Sequence, residues 1–593
     1  MPAGEEPLLS HRPSSELSAD RDLAEEDALL TGRRNGSPQA ARSRRWARWR
    51  EILTFAWALI ATIVVIVLAV VYQKKTEGQG GAAHTAGKRN LVFMVSDGMG
   101  PTSLSMTRSF RQYQLGLPYG ETLSLDKFLV GQSRTRSTSS LVTDSAAGAT
   151  AFSCGLKSYN GAIAVLDDHS PCGTVLEAAK KAGYMTGLVV TTRITDATPA
   201  CFAAHVNMRS EEDRIAEQLV GDYPLGRVVD LILGGGRCHF LPNSTEGSCR
   251  DDNKDIVKMA KDSGFNYVHN RADFDGLNMG SAVNLPMLGL LADTDIPYEV
   301  DRQYQENTYP SLDEMARTAL AALSAATQDS DKGFFLMIEG SRIDHAGHAN
   351  DPVAQVHEVL AYDNAMSSVV EFLQKDTVPG VMVSTSDHET GGLAAARQLH
   401  STYPDYLWYP GVLANASRSA EWLGREYYKE IVNHPDGSYG PYLKRMLEDA
   451  LGVRDYSDDE IQSLIDSPEI SPYLFADIVS RRSQIGWTTH GHSAVDVNIY
   501  AHPAEAATAL SGNHENTEVG DFLRSFLDVD VDAITRKLKA EGVSHGEDGA
   551  ASSTSYEWMG PLPEDGERLD GQDHTDHYQG DFKKHKRCEI CGV

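Results

Sequence analysis

Apolar runs of strand length in this 593-residue chain repeatedly end in an acid or a histidine. NLVFMVSDGMG, residues 90–100, closes on Asp97 and two glycines. A carboxylate placed there stands at the C-terminal edge of a strand, where open α/β sheets bind their ligands. GFFLMIEGSRIDHAGH brings Glu339 to its strand end, then Asp344 and His348 four apart, a spacing that puts both on one face of a helical turn. GVMVSTSDHETGG delivers Asp387 and His388 directly after a third run, and His490 in THGHSAVDV joins the set. Taken singly, an acid after a strand is commonly a turn former or helix cap, and a lone histidine a satisfied core residue. Four carboxylates and three histidines recurring in this position point instead to one polyvalent cluster on an α/β sheet.

Ligand type narrows the chemistry. Mixed imidazole and carboxylate ligation without cysteine suits zinc, whereas ligation by oxygen alone suits magnesium. Two zinc ions about 3.5 to 4 Å apart can hold the attacking and leaving oxygens of a phosphoryl transfer together. The candidate nucleophile is Ser145 in TDSAAGAT; a serine hydroxyl is weak at neutral pH and needs a metal or base to activate it. The pattern reads as a multi-metal hydrolase.

SDGMG, TDSAAGAT, TDATPA, AHVNMR, GGGR, IEGSRIDHAGH, TSDHETGG and THGHSAVDV occur in an order and at intervals that resemble the alkaline phosphatases, among them the membrane-anchored vacuolar type of fungi. The likeness covers roughly residues 88 to 530. It implies a large central, mostly parallel sheet with helices on both faces, two Zn2+ and one Mg2+ per subunit, and a homodimer. It also implies that Ser145 becomes phosphorylated. Asp344, His348 and His490 would hold the first zinc and Asp387 and His388 the second. Asp97 would bridge to a magnesium that also contacts Asp196, Thr198 and Glu339. Arg209, in AHVNMR, would clamp two phosphate oxygens, for which a guanidinium has the fork geometry. Asp196 stands where animal members carry histidine, and His345 where some bacterial members carry lysine, so the third metal site mixes two patterns. His345 is either a surface residue or one that orients a carboxylate or water at that site. His492 and His514 are left as ordinary histidines.

The resemblance leaves two neighbouring activities to separate. A sulfatase needs Cys/Ser-x-Pro-x-Arg at its nucleophile, but Ser145 is followed by Ala146 and Ala147. Related phosphodiesterases use threonine and lack the third metal site. A catalytically dead ectodomain would have lost a nucleophile or ligand, and none is missing. Phosphomonoesters as a broad class are therefore the expected substrates.

Residues 52–72, ILTFAWALIATIVVIVLAVVY, carry no charge and would span about 30 Å as a helix, enough to cross a bilayer. Arg33, Arg34, Arg42, Arg44, Arg45, Arg48 and Arg50 precede the run, while only Lys74 and Lys75 follow closely. This asymmetry predicts a type II membrane protein with residues 1–51 in the cytosol. Within that tail EEDALL, Glu25 to Leu30, resembles a vacuolar or lysosomal sorting signal. The formal net charge is −29, whereas the first 51 residues balance nine arginines against nine acids. The acidity thus lies beyond the span, and argues against nucleic-acid binding.

The remaining organisation is a Gly-rich stalk at 73–88, an α/β catalytic domain at 89–535, and a polar tail at 536–593 expected to be flexible and open to processing. Strands are expected near 91–95, 185–191, 228–233, 334–338, 380–385 and 495–501, and helices near 173–182, 312–326 and 353–375. Residues 395–485, rich in tyrosine, proline and charge, read as an insertion able to form a dimer or crown surface. Of seven cysteines, Cys238 and Cys249 flank a short loop and are paired here; Cys588 and Cys591 are assigned to a small disulfide or free thiols. Sequons at Asn243 and Asn415 predict a glycoprotein.

Overall fold

NLVFMV becomes strand β1 (Asn90–Val95), every residue of which is buried. A strand covered on both faces needs apolar side chains at both parities. Leu91, Phe93 and Val95 enter one core cluster, and Val92 and Met94 another. The computed structural model describes residues 87–435, 437–541, 543–545, 551–554 and 556–563, with scattered positions between 49 and 62.

The other strands are β2 (Leu129–Arg134), β3 (Met185–Arg193), β4 (Leu231–Gly235), β5 (Asn266–Val268), β6 (Met287–Leu290), β7 (Phe334–Glu339) and β8 (Gly380–Thr385). There follow β9 (Glu389–Thr390), β10 (His492–Ser493), β11 (Val497–His502) and β12 (Gly512–Glu515). All but β9 and β10 join β1 in one ten-stranded sheet, in the order β12-β2-β11-β8-β1-β7-β3-β4-β6-β5. It is parallel except where β11 runs against β2 and β8. β9 and β10 form a separate antiparallel ladder. Strand β4 begins later than expected, at Leu231; before it the Asp230 carboxylate accepts from Lys180 Nζ at 2.6 Å and from the Thr186 amide.

Helices cover both faces, as expected of the α/β class. On one lie Ser145–Cys154, Val175–Lys181, Ala197–Ala203 and Asn516–Leu527; on the other Leu312–Ala326 and Pro352–Lys375. Ser311 and Glu314 close a capping box on Leu312–Ala326, and Asp351 caps Pro352–Lys375 through the amides of Val353 and Ala354. The 395–485 insertion is a helical layer, with Ala420–Asn433, Gly440–Ala450 and Ser471–Ser483 contributing Leu423, Tyr427, Leu443, Leu447, Phe475 and Val479 to a third core.

Cys238 pairs with Cys249 as expected, Cys154 with Cys172 in addition, and Cys201 is a buried free thiol. Cys588 and Cys591 lie outside the described residues. Asn243 and Asn415 are exposed. Ordered structure continues past the boundary expected near 535. Helix Val531–Ala540 buries Val531, Ile534 and Leu538, and further along Met559 is 1 % exposed.

The chain divides into units 1–85 and 86–593. In the first, Leu53, Thr54, Ala56, Trp57, Leu59, Ala61 and Thr62 are helical, but most of the run 52–72 lies outside the described residues. Among the described residues no helix is long and apolar enough to cross a membrane.

Candidate active site

Strands β8, β1, β7 and β3 are consecutive parallel neighbours, with Val95 level with both Thr385 and Glu339, and Glu339 level with Val190. Chains leaving four such strands emerge at one edge, which brings Asp97, Glu339, Asp387 and Asp196 together. Gly98, at φ +76°, makes the turn after Asp97 possible: a Cβ there would fall 2.5 Å from the Cα of Asp344.

Ser145 opens helix Ser145–Cys154 and is buried with its Oγ 3.1 Å from His388 Nε2. Asp144 is the N-cap. Its Oδ1 accepts the Ala147 amide at 3.0 Å, and its Oδ2 accepts the Gly161 amide at 3.0 Å. His388 Nε2 also lies 3.3 Å from Asp387 Oδ2 and 3.5 Å from Asp97 Oδ1. Asp97, Asp387 and His388 thus form one group able to hold a metal.

A second such group joins Asp344 and His348 to His492. Here the structure departs from the expectation that His490 completes the set. His492 Nε2 is 3.2 Å from His348 Nε2 and 3.5 Å from Asp344 Oδ1, and its ring stacks on His388 with centroids 3.5 Å apart. His490 is exposed, packs against Tyr473 and places Nδ1 2.8 Å from the His348 carbonyl. The cause is the β9–β10 ladder, which sets His492 opposite Thr390. Thr390 donates to Asp344 and lies 3.1 Å from His388 Nδ1, at the centre of the cluster.

Hydrogen bonding also sets the tautomers. His492 Nδ1 faces the Thr143 carbonyl at 2.7 Å, and His348 Nδ1 faces the His490 carbonyl. A carbonyl only accepts, so both Nδ1 atoms carry the proton. The Thr390 hydroxyl spends its hydrogen on Asp344 and so accepts from His388 Nδ1. In their neutral form all three imidazoles therefore turn an Nε2 lone pair into the site, the form that ligates a metal.

The electrostatics have the same sense for the acids and for His388 and His492, whereas at His348 burial would lower the pKa but the Asp344 carboxylate raises it. Burial, then Asp387 and other acids, raises Asp97; burial and then Asp196 raise Glu339; burial and then Asp344 push Asp387 up to about 7. Burial lowers His388 to about 3, and burial with His388 beside it lowers His492. Burial would raise Asp344, but His348, His492 and His388 hold it well below the usual range. Asp97 Oδ1, Glu339 Oε2 and Asp387 Oδ2 are buried without a hydrogen-bond donor. Buried carboxylate oxygens of this kind, beside imidazole lone pairs, fit divalent cations.

Thr198 donates to Asp97 Oδ2 at 3.3 Å, and Asp196 stands 2.8 Å from Arg209 Nη2, so the expected third-site residues adjoin. Arg209 Nη1 reaches Asp144 Oδ2 at 3.4 Å. Burial would weaken the charge on Arg209, but Asp196, Asp144 and Asp97 more than restore it. His345 is buried, which overturns its surface alternative. It accepts from Arg342 Nε at 3.2 Å and lies 3.7 Å from Asp295. Asp295 pairs with Arg193 at 3.0 Å, which reaches Asp196 at 3.2 Å. His514 stays outside, bonded to the Ser511 carbonyl.

Residues 88–529 match the alkaline phosphatase family. The chain belongs to that family. It is 51% identical over 528 residues to the repressible alkaline phosphatase of Saccharomyces cerevisiae, covering 85% of this chain and 92% of the relative. To the alkaline phosphatase of Schizosaccharomyces pombe it is 48% identical over 522 residues, covering 87% and 94%. Among solved structures it resembles the Thermus thermophilus alkaline phosphatase at TM-score 0.62 and 27% identity, over 78% of this chain and 98% of that one. The cold-active Shewanella enzyme matches at TM-score 0.61 and 30% identity, over 74% and 99%. Membership makes this chain a phosphatase whose chemistry is phosphomonoester hydrolysis. In this alkaline phosphatase, sequence reasoning missed His492, Asp144, Thr390 and the Arg193–Asp295 pair. Only Asp144 left a local signal, an acid immediately before a helix-opening serine.

Proposed function

We propose that this alkaline phosphatase hydrolyses phosphate monoesters by two displacements at Ser145. The observation that supports it most is Ser145 Oγ, 3.1 Å from His388 Nε2 at a helix N-terminus, beside two metal-capable groups. In the first displacement the Ser145 Oγ–P bond forms as the ester P–O bond breaks and the alcohol departs. In the second, water takes the phosphoryl group from Ser145 and inorganic phosphate leaves. Arg209 turns from Asp144 and Asp196 to two phosphate oxygens, a bidentate contact open to a guanidinium. The amides at the start of helix Ser145–Cys154 favour the same anion.

Asp344, His348 and His492 would hold one zinc, Asp97, Asp387 and His388 a second, and Asp97, Asp196, Thr198 and Glu339 a magnesium. Bound there, these ions lower the pKa of the attacking hydroxyl or water and neutralise phosphoryl charge. His492 takes the place first given to His490. Magnesium at an aspartate-containing third site has a parallel in a variant of the TAB5 alkaline phosphatase in which aspartate replaces a histidine, a structure with Mg bound in its M3 site (28% identical, TM-score 0.52). Through Arg193 and Asp295, His345 would orient Asp196.

The uncharged run 52–72, the arginines before it and EEDALL support a single-pass type II anchor in a vacuolar membrane with the catalytic domain lumenal. A homodimer with glycans at Asn243 and Asn415 completes the reading. The deciding experiment quenches the enzyme in acid during turnover and maps phosphate by mass spectrometry. Phosphate on the Ser145 peptide, lost together with activity in Ser145→Ala, is expected. Turnover surviving in Ser145→Ala with no phosphopeptide would mean direct attack by water.

A further inference from the structure

The segment Tyr556–Gly560 lies beyond residue 529, where the family match ends, yet it is fastened to the loop that carries Arg209. The Asn207 amide donates to the Met559 carbonyl at 3.1 Å, and Asn207 Nδ2 donates to the Gly560 carbonyl at 3.0 Å. Met559 packs with Tyr159, Ala162 and Val165, with Met208 beside them. Trp558 sets its ring edge-on to His205, centroids 5.8 Å apart, and its carbonyl accepts from Gln218 Nε2 at 3.2 Å. Gln218 in turn brackets His205, accepting its amide at 2.7 Å and donating to its carbonyl at 2.9 Å.

On its inner side the same loop is pinned by paired Val206 and Ile163 amide-to-carbonyl bonds of 3.1 Å, and by the Arg209 amide on the Gly161 carbonyl at 2.7 Å. Residues 205–209 are therefore held between the nucleophile's neighbourhood and the distal segment. A guanidinium that must meet two phosphate oxygens tolerates little drift of its backbone, and a misplacement of about 1 Å can cost on the order of 100-fold.

We propose that Trp558 and Met559 are positioning residues that hold the 205–209 loop so that Arg209 is set for phosphate. The proposal rests on the reading of Arg209 as the phosphate clamp. It makes part of the distal segment belong to the working enzyme, where the sequence leads one to expect a flexible tail at 536–593 open to processing.

The test uses the full chain and measures the inhibition constant of inorganic phosphate, with kcat and Tm alongside. Trp558→Ala with Met559→Ala should raise that constant about tenfold, within the range set by such misplacement. Trp558→Phe with Met559→Leu should restore it. Should the double alanine variant fail to fold, Asn207→Ala, which removes only the side-chain bond to Gly560, carries the same expectation with a smaller rise. In an Arg209→Ala background the alanine pair should add no further rise. If Arg209→Ala raises the constant while the segment variants only lower Tm, the proposal is overturned and the clamp stands. Equal rises with and without Arg209 also overturn it. Arg209→Ala leaving phosphate inhibition unchanged removes the clamp reading itself.

Discussion

The exchange of His490 for His492 can be tested by replacing each with alanine. His492 stands 3.2 Å from His348 Nε2 and 3.5 Å from Asp344, with its Nδ1 proton on the Thr143 carbonyl and its Nε2 lone pair directed into the group. Removing it deletes one of three side chains there and the ring stacked on His388. Loss of a residue that merely orients a ligand lowers metal affinity roughly 10- to 100-fold, so deletion of a ligand should exceed about 100-fold. His490 is exposed and offers one hydrogen bond of 2.8 Å to the His348 carbonyl. Such a bond contributes about 0.5–1.5 kcal/mol, which limits the loss in His490→Ala to roughly tenfold. The assay is zinc per subunit by plasma emission after dialysis against graded chelator, with phosphatase activity on the same samples. His492→Ala should come out one zinc short under conditions in which His490→Ala stays full. A zinc-deficient His490→Ala beside a replete His492→Ala would show that the ladder between β9 and β10 does not select the ligand.

Asp196→His replaces a hard carboxylate and breaks its contacts with Arg209 and Arg193, so magnesium activation should weaken and zinc content rise; unchanged metal content and activation would remove Asp196 from the third site. Asp144→Ala deletes the cap of the Ser145 helix and should cost about 1–2 kcal/mol in urea unfolding, whereas Asp144→Asn, still able to cap, should lose much less; equal losses would place the effect in the charge on Arg209. Glu358, buried with its Oε1 accepting the Glu299 amide at 2.6 Å, is pushed up to about 7 by burial. Its folded value lies above its unfolded one, so the stability it contributes is complete below the unfolded value and is lost as pH rises through about 7. Glu358→Gln should therefore gain on the parent between pH 5 and pH 8 by on the order of 1–3 kcal/mol in paired urea melts, and a gap that does not widen would show that the carboxyl is not held protonated.

The acids were legible because parallel strands covered on both faces read as unbroken apolar runs, and the residue after each run must lie at the carboxyl edge. Nothing nonlocal is needed to find Asp97, Glu339 or Asp387 once β1, β7 and β8 are recognised. Strands β2 and β12 escaped for the converse reason: LVGQSR and GNHE are polar and partly exposed, and gain their place through pairing, β2 between β12 and β11 and β12 along β2 at the sheet margin. His490 and His492 show the same limit within the site. They share a parity and a motif, and which one enters the cluster is decided by the pairing of His492 with Thr390, a hundred residues away in sequence.

The distal segment marks a further boundary of composition as a guide. A tail poor in apolar residues cannot build a core of its own, and that inference is sound for a chain folding alone. It does not bear on a few residues entering a site already lined by Tyr159, Ala162 and Val165, where the ordering cost falls on a short stretch and Met559 becomes almost wholly buried. The backbone bond from Asn207 to Met559 then ties that stretch to the loop before Arg209. Reading the tail by its own hydropathy misses this, because the apolar surface that orders it belongs to residues four hundred positions earlier.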